Sequence, residues 1–472
     1  MDKSKQNFFE RYFQIKENNS TMKVEIIAGI TTFITIAYVL ILNPIILSDP
    51  YTIMGQLDVA EKLKNGIFIG TCIGGFIGTI LVSLYAKLPL AQATGMGLNA
   101  FFAYTVCLGM GYSYWQSLVI VLISGILFIF ITVVGLREAI IRSIPKNIIN
   151  AVTPGIGLFI TIVGLKNSGI VVKNDATLVG LVDFSKWGQE GTDNLALAGA
   201  LVAFCGLIII AVLHAKKIKG AIILGIISAT IIGIPFGVTK LHEFDLNLGR
   251  KFHDFFEVSF FKLDFAGLFE NKSFVSALFM IFMLVLSFSL VNMFDSIATL
   301  FGAAKQSGLI TENGEIKNMK QALMSDAIST AAGALVGTST VTTVAESSAG
   351  IAAGGKTGMT SFVTAILLLV SIIFAPIVNI IPTVAIAPAL VFVGILMLGN
   401  IKDVDFSDMT EALPAFCAMI FMPFTYSIAN GVGIGLITYC IIKILTGKFR
   451  EIKPLALIIS IIFIIRYVSM TM

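Results

Sequence analysis

Long apolar segments alternate with short polar stretches along almost the whole chain. A helix needs about 20 apolar residues to cross a bilayer, and most of the segments reach or approach this length. Fourteen segments cover residues 24–47, 66–86, 90–111, 115–135, 147–165, 195–213, 220–238, 273–302, 321–337, 339–355, 359–380, 384–399, 411–429 and 431–445. A last apolar run, 454–467, is short for a crossing and is predicted to lie in the membrane interface. The pattern predicts an all-α polytopic membrane protein with fourteen transmembrane segments.

The composition agrees with this prediction and excludes several classes of protein. Of 472 residues, 56% are hydrophobic and 13% are charged, whereas soluble domains are about 25% charged. A soluble enzyme and a disordered chain are excluded, and a net charge of +4 does not indicate a nucleic-acid partner. The five cysteines lie in apolar segments without CxxC spacing, so neither disulfides nor a zinc site is predicted. No metal and no cofactor is expected.

Positive charges gather in the loops that follow an even number of crossings. Lys216, Lys217 and Lys219 follow segment 6, for example, and the N-terminal tail, 1–23, is also basic. Because basic residues favour the cytoplasmic side, we expect both termini to be cytoplasmic in a multi-pass protein of the cell membrane. The long polar stretch 239–272, which follows segment 7, is then an extracellular loop.

The two halves of the chain correspond to each other. Segments 1 and 8 start 249 residues apart, segments 4 and 11 start 244 apart, and segments 5 and 12 start 237 apart. Each half holds seven segments, an odd number, so the second half would enter the membrane from the opposite side. The spacing therefore predicts two inverted repeats of seven segments. In transporters, matched interrupted segments of such repeats mark the substrate site.

Segments 3 and 10 are the interrupted pair. Residues 92–104 and 337–350 are poor in bulky aliphatic side chains and rich in Gly, Ala, Ser and Thr. We interpret each as a strand or coil that enters a short helix, an arrangement tolerated at membrane depth only where it lines a cavity. The alternative is a tightly packed helix interface made of small residues.

Two acidic residues lie deep in apolar segments. Asp295 is in segment 8 and Glu346 is near the middle of segment 10, where a charge costs about 3 kcal/mol on insertion scales. With no Lys or Arg inside a nearby segment, at least one is expected to be protonated for part of a cycle. A structural hydrogen bond between helices is the alternative for each. Asn99 offers a donor and acceptors, or packs as a helix amide, and Asp326 is interpreted as an N-cap at the start of segment 9.

Three motifs resemble those of one transporter superfamily. They are GMGLNAFFAY at 95–104, the Phe-Asp pair 294–295 with Thr-Leu at 299–300, and TSTVTT at 338–343, followed by Glu-Ser at 346–347. Together they resemble the purine permeases of the nucleobase–ascorbate (NCS2) superfamily. Within it, the AzgA-like guanine/hypoxanthine/adenine permeases are the most similar branch, and the similarity extends over essentially the whole chain.

The resemblance implies the fold of the uracil permease, with fourteen segments in two inverted repeats and short antiparallel strands in segments 3 and 10. A core domain would comprise 24–135 and 273–380. A gate domain would comprise 136–272 and 381–446, and 447–472 would be an interfacial C-terminal segment. The substrate would bind between core and gate. The superfamily imports nucleobases together with protons, here by an elevator-type movement of the core.

The resemblance also implies a set of site residues. Asn99, Asp295 and Glu346 would bind the purine, with Glu346 accepting its N–H groups. Asp295 and Glu346 would couple transport to protons. Residues around them that would complete the substrate site are Gly97, Ala100, Phe101, Thr343 and Ala345.

Several positions depart from the motifs of the superfamily. Thr94 stands where Pro is common, and Val344 stands where an aromatic residue is frequent. In segment 8, Asn292, Ser296 and Ala298 replace Asp, Thr and Gly. These changes surround the polar trio without altering it, so they leave the base preference open.

The sequence thus indicates a proton-coupled secondary active transporter for guanine, hypoxanthine or adenine. A transporter of the same fold for xanthine, uracil or another small solute stays open. An intramembrane enzyme is disfavoured because no His lies inside a segment, and a channel because the polar residues gather at one depth. Expected partners are the nucleobase, protons and the lipid bilayer, and the sequence leaves a homodimer open.

Overall fold

A computed structural model describes residues 7–135, 144–189, 193–240, 247–270, 273–307 and 318–469, and these residues are mostly helical. The first half contains, in chain order, α1 (Phe8–Tyr12), α2 (Met22–Ile36), α3 (Tyr38–Ile53), α4 (Leu57–Leu81), β1 (Gln92–Thr94), α5 (Met96–Ala100), α6 (Tyr114–Val134), α7 (Lys146–Asn167), β2 (Val171–Asn174), β3 (Leu178–Leu181), α8 (Asn194–Ala215) and α9 (Ala221–Ile232). The second half contains α10 (Leu248–Asp254), α11 (Phe274–Ser307), α12 (Met319–Leu335), β4 (Val341–Thr343), α13 (Ser347–Ala352), α14 (Gly358–Val370), α15 (Thr383–Leu398), α16 (Met409–Phe424), α17 (Ile428–Leu445) and α18 (Pro454–Ser469).

Several helices continue in a different winding. Wider π-helical turns follow α4 at Val82–Ala86, α5 at Phe101–Gly109 and α10 at Phe255–Ser259. Tighter 3₁₀ turns extend α14 through Ser371–Ile380 and α15 through Gly399–Asp403. Isolated 3₁₀ turns are Phe184–Lys186, Gly267–Phe269 and Phe449–Glu451.

Within the described ranges, nine helices are long and apolar enough to cross a membrane. They are Met22–Ile53, Leu57–Ala86, Tyr114–Val134, Lys146–Asn167, Asn194–Ala215, Phe274–Met293, Gly358–Ile380, Thr383–Asp403 and Ile428–Leu445. Shorter apolar helices are Met96–Gly109, Ala221–Ile232, Met409–Phe424 and Pro454–Val468. The chain is therefore a multi-pass membrane protein, as its sequence predicts, while the number of fourteen crossings stays a prediction.

The chain divides into two compact units. Unit 1 draws on 1–134 and 245–379, and unit 2 on 135–244 and 380–472. Each unit thus combines a stretch from either half of the chain. In unit 1, small residues let helices approach closely: a Cβ built on Gly125 of α6 would lie 2.7 Å from the backbone nitrogen of Ala331 in α12. Close backbone approach of this kind is how helices pack in a membrane.

The strands predicted in segments 3 and 10 are confirmed. β1 and β4 pair antiparallel, with Ala93 opposite Thr342 at the centre of the register. Two further backbone bonds extend the pairing: Gly95 N–H donates to Thr340 O at 3.2 Å, and Val344 N–H donates to Ala91 O at 3.1 Å. A helix follows each strand, so both segments are interrupted.

Three local features differ from the sequence prediction. The described part of the polar stretch, 247–270, lies in unit 1 and contains α10 and its π-turn. It is tied to α4, because Asn65 Nδ2 donates to Asp254 Oδ2 at 2.6 Å. A hairpin of β2 and β3 follows α7 in unit 2, although no strand was expected there. The third difference concerns segment 9: α12 begins at Met319 with Asn318 as its N-cap. The interpretation of Asp326 as an N-cap is therefore wrong, and this residue lies two turns inside the helix.

Candidate functional site

The paired strands β1 and β4 are the centre of the polar region of unit 1. Their side chains are enclosed, so their outer backbone edges need partners from neighbouring helices. For β1, the partner is Thr79 of α4. Its hydroxyl accepts from Gln92 N–H at 2.9 Å and donates to Gln92 O at 3.0 Å. A single threonine thus satisfies both backbone groups of the first strand residue.

Asp326 of α12 has the same task for β4. Its Oδ1 accepts from the backbone N–H of Thr343 at 2.7 Å and from Gln92 Nε2 at 3.4 Å. Ser296 of α11 donates a short hydrogen bond to Oδ2. Asp326 is fully enclosed, and its hydrogen bond to Thr343 N–H fixes the position of β4. The sequence analysis singled out Asp326 as an N-cap and missed this role, although Ser325, Asp326, Ser329 and Thr330 form a polar stripe on one face of α12.

Glu346 is the N-cap residue of α13 and is half-buried. Its Oε1 accepts a hydrogen bond of 2.5 Å from the hydroxyl of Tyr38. The neighbouring Ala345 is exposed, whereas Tyr38 is only 2% exposed. Glu346 is therefore bound by an enclosed phenol, while the residue as a whole stays partly accessible. No sequence motif drew attention to Tyr38, because an apolar segment with a single Tyr is unremarkable without knowledge of its partner.

Asp295 lies within α11 and is also half-buried. Among the residues that the structure describes, none donates a hydrogen bond to its carboxylate. Its Oδ2 would lie 3.8 Å from a Cβ built on Gly95, the residue between β1 and α5. Asp326 and Glu346 are the acidic groups that act on it electrostatically. The structure thus brings three acids of unit 1 together around the strand pair.

Asn99 is fully enclosed in α5. Its Oδ1 accepts a short hydrogen bond from Ser339, and its Nδ2 faces Met96 Sδ at 3.9 Å. The amide therefore ties α5 to the turn that precedes β4. A part in substrate binding stays a prediction for this residue.

The other predicted site residues fall into two groups. Gly97, Ala100, Phe101 and Thr343 are buried inside unit 1, and the Phe101 ring packs on Phe288 with 4.9 Å between centroids. Ala345 alone is exposed, next to Glu346. Side chains of 294, 297 and 298, which include the departure at Ala298, lie outside the described residues.

The arrangement suits a neutral ligand that is rich in N–H groups. Carboxylates accept hydrogen bonds but cannot donate them, and two neighbouring carboxylates repel an anion. In the described chain, the one cluster with the composition of a metal site is His253, Asp254 and Glu257. Its carboxylates already bind Asn65 and Lys62 of α4, at 2.6 Å each.

Comparisons with known proteins agree with the motifs. The sequence model of the family described as "Permease family" matches residues 23–434. The putative permease MJ0326 of Methanocaldococcus jannaschii is 40% identical over 98% of this chain and 99% of its own. The adenine permease AdeP of Escherichia coli is 36% identical over 98% of this chain and 97% of its own. The guanine/hypoxanthine permease PbuO of Bacillus subtilis is 36% identical over 96% of this chain and 99% of its own.

Solved structures share the fold at low sequence identity. The transmembrane domain of the cyanobacterial bicarbonate transporter BicA matches with a TM-score of 0.56 at 15% identity, covering 89% of this chain and 96% of that one. SLC26A9 matches with a TM-score of 0.62 at 12% identity, covering 93% of this chain and 68% of that one.

Proposed function

Because this chain belongs to the permease family that its sequence matches from 23 to 434, and is therefore a transporter and not an enzyme, we propose that it imports purine nucleobases together with protons. Guanine, hypoxanthine and adenine are the proposed substrates. The observation that carries the proposal is the pair of half-buried carboxyl groups, Asp295 and Glu346, beside the paired strands of unit 1.

Glu346 is the proposed acceptor for the substrate. A purine base presents ring N–H and amino donors on one edge, and charge-assisted hydrogen bonds to a carboxylate are the strong ones. Relatives over nearly the whole chain are named adenine permeases and guanine/hypoxanthine permeases, which supports a purine. Asn99, together with Gly97, Ala100, Phe101, Thr343 and Ala345, completes the proposed site.

Asp295 is the proposed carrier of the coupling proton. It has two acidic neighbours and no hydrogen-bond donor among the described residues. Three negative charges close together repel one another, so a proton that binds here relieves the repulsion. Glu346 would share in the coupling because its negative charge favours a proton on Asp295.

Fourteen crossings in two inverted repeats are part of the same proposal. The central pair of the strands, Ala93 and Thr342, lies 249 positions apart, the spacing between the starts of segments 1 and 8. Asn43 and Asn292 have the same spacing. Each donates to a threonine hydroxyl of a nearby helix, Asn43 to Thr71 at 2.7 Å and Asn292 to Thr330 at 3.0 Å. Equivalent contacts around an antiparallel pair support a two-fold relation between the halves.

Transport itself is proposed to be of the elevator type, with the core as the moving domain. The three acids and both strands belong to unit 1, which supports a site carried by one body. The cell membrane is the proposed location, and the distribution of basic loops supports cytoplasmic positions for both termini.

Uptake of labelled hypoxanthine, guanine and adenine tests the proposal. The chain is expressed in cells that lack their own purine permeases, with and without a protonophore. We expect accumulation of at least one purine that collapses with the proton gradient. Absence of uptake of all three would contradict the proposed function. If only xanthine or uracil were taken up, the proposed substrate would change and the proposed fold would not.

A further inference from the structure

Tyr38 occupies an unusual place in unit 1. It is the first residue of α3, and a single residue, Ala37, separates it from the end of α2. Its ring is 2% exposed, yet its hydroxyl reaches Glu346, 308 positions away in the sequence. The oxygen–oxygen distance of 2.5 Å is at the short end of the range for a hydroxyl that donates to a carboxylate, about 2.5–2.7 Å.

This hydrogen bond makes the two carboxylate oxygens of Glu346 differ in their surroundings. Oε1 is engaged by the phenol from the enclosed side. Oε2 accepts from no residue that the structure describes and is left for a ligand, beside the exposed Ala345. A glutamate has three side-chain torsions, and fixing one of its oxygens removes most of the freedom that a ligand would otherwise have to restrict.

The surroundings of Asp295 differ from those of Glu346. It is equally half-buried, but it receives no hydrogen bond from the part of the chain that the structure describes. Of the two half-buried acids beside the strand pair, Glu346 is therefore held by a hydrogen bond, and Asp295 accepts none from the described residues. This asymmetry suits a division of work between them.

We propose that Tyr38 is a positioning residue that orients Glu346 as the substrate acceptor, and that proton exchange is left to Asp295. The assignment rests on the proposed function of this site. Tyr38 does not itself touch the substrate, since its ring is enclosed and its hydroxyl is engaged by Glu346.

The test compares two phenol-to-phenyl variants in the full-length protein. Tyr38→Phe removes the bond to Glu346. Tyr104→Phe is the matched control, because Tyr104 is 5% exposed in the same unit and donates to Asp49 Oδ2 at 2.7 Å. The affinity for the transported purine, the kcat and KM of uptake, and the accumulation driven by an inward proton gradient are measured for both.

Tyr38→Phe is expected to raise Kd and KM about tenfold, with kcat within twofold and accumulation driven by the proton gradient retained, because Asp295 is unchanged. Tyr104→Phe is expected to leave all of these unchanged. In a Glu346→Asp background, whose shorter side chain draws back from the phenol, Tyr38→Phe should add little further loss. Such non-additivity is the mark of two residues that act as one unit.

Each other outcome counts against the assignment. Equal affinity in Tyr38→Phe and wild type would overturn it, as would an additive loss in the Glu346→Asp background. Loss of proton-driven accumulation with an unchanged Kd would place the phenol in the proton path and overturn the division of roles between Glu346 and Asp295. If the wild-type protein neither binds nor takes up any purine, the proposed function fails, and the assignment of Tyr38 fails with it. If the wild-type protein is active and Tyr38→Phe does not change the affinity, only the assignment of Tyr38 fails.

Discussion

Four of the carboxylates of unit 1 fall into two sets that differ in their surroundings. Asp326 and Glu25 are fully enclosed, and each accepts at least one backbone N–H and one side-chain donor. Asp295 and Glu346 are half-buried. Glu346 accepts from one phenol, and Asp295 accepts from no residue in the described ranges. The position of an acid in a membrane helix thus does not show whether its role is structural or functional. The number of hydrogen bonds that it accepts from the protein separates the two roles better.

The physical reason is the cost of removing a charge from water. A buried ion is tolerated when hydrogen bonds from its neighbours replace those of the solvent. A carboxylate whose oxygens already accept hydrogen bonds from the protein cannot accept further ones from a ligand, so its role is structural. One that is accessible and only partly satisfied keeps its acceptors for a ligand or a proton. The predictions below test this division.

The largest effect is expected from Asp326→Ala. The substitution leaves the backbone N–H of Thr343 without its acceptor, and the Ser296 hydroxyl loses one. Each buried donor left unsatisfied costs about 1–3 kcal/mol, so we expect a loss of about 3 kcal/mol or more in stability. Melting in detergent and gel filtration measure it. Asp326→Asn, which keeps an acceptor for Thr343, should be milder, and a normal melting temperature with lost uptake would move Asp326 to the functional set.

Glu346→Gln is expected to lower the affinity for purine at least 100-fold, about 2.7 kcal/mol. The amide keeps one acceptor but brings a donor where the base also donates. Because Glu346 is accessible, the melting temperature without ligand should stay within about 2 °C of wild type. Glu257→Gln is the control, as this exposed carboxylate pairs with Lys62 at 2.6 Å and should change neither quantity. An unchanged affinity would remove Glu346 from the site.

Asp295→Asn is expected to separate binding from accumulation. Without a group that can exchange a proton, purine should bind within about tenfold of wild type, a change below about 1.4 kcal/mol. The variant should still exchange labelled purine across the membrane of proteoliposomes. Accumulation driven by an inward proton gradient should disappear. If accumulation persists with a normal pH dependence, the coupling group is elsewhere.

Parts of this site could be read from the sequence. Segments 3 and 10 were predictable because Gly, Ser and Thr interrupt an otherwise aliphatic pattern. Asp295 and Glu346 were predictable because a charge is rare in such segments. The predicted antiparallel strands then agree with the register that pairs Ala93 with Thr342.

The remaining parts depend on contacts between distant positions. The role of Tyr38 is recognisable only from its contact with Glu346, since a single Tyr does not depart from an apolar pattern. Asp326 is conspicuous in segment 9, but its role at β4 follows only from its contact with Thr343. The helix at 248–254 was also missed, because its polar residues predict a solvated loop, whereas Lys251 and Asp254 are buried and Asp254 pairs with Asn65 of α4. Hydropathy describes the lipid-facing surface well and the polar interior poorly.

The smallest effect is expected from Glu25→Gln, which tests the enclosed set where it is furthest from the strands. Glu25 accepts from the backbone N–H of Lys356 at 3.1 Å and of Thr357 at 3.3 Å, and from Thr360 Oγ1 at 2.6 Å. It thereby satisfies donors at the start of α14. Glutamine keeps one acceptor oxygen, so we expect a loss of about 1 kcal/mol and a melting temperature lower by about 2 °C.

Purine affinity and proton-driven accumulation should not change in Glu25→Gln. Thr360→Val, which removes only the hydroxyl donor, is the matched variant and should cost no more. If Glu25→Gln instead altered affinity or coupling while the melting temperature stayed constant, an enclosed and fully bonded acid would be functional. The count of hydrogen-bond donors would then fail to separate the two sets of carboxylates, and the assignments of Asp295 and Glu346 would rest on the motifs alone.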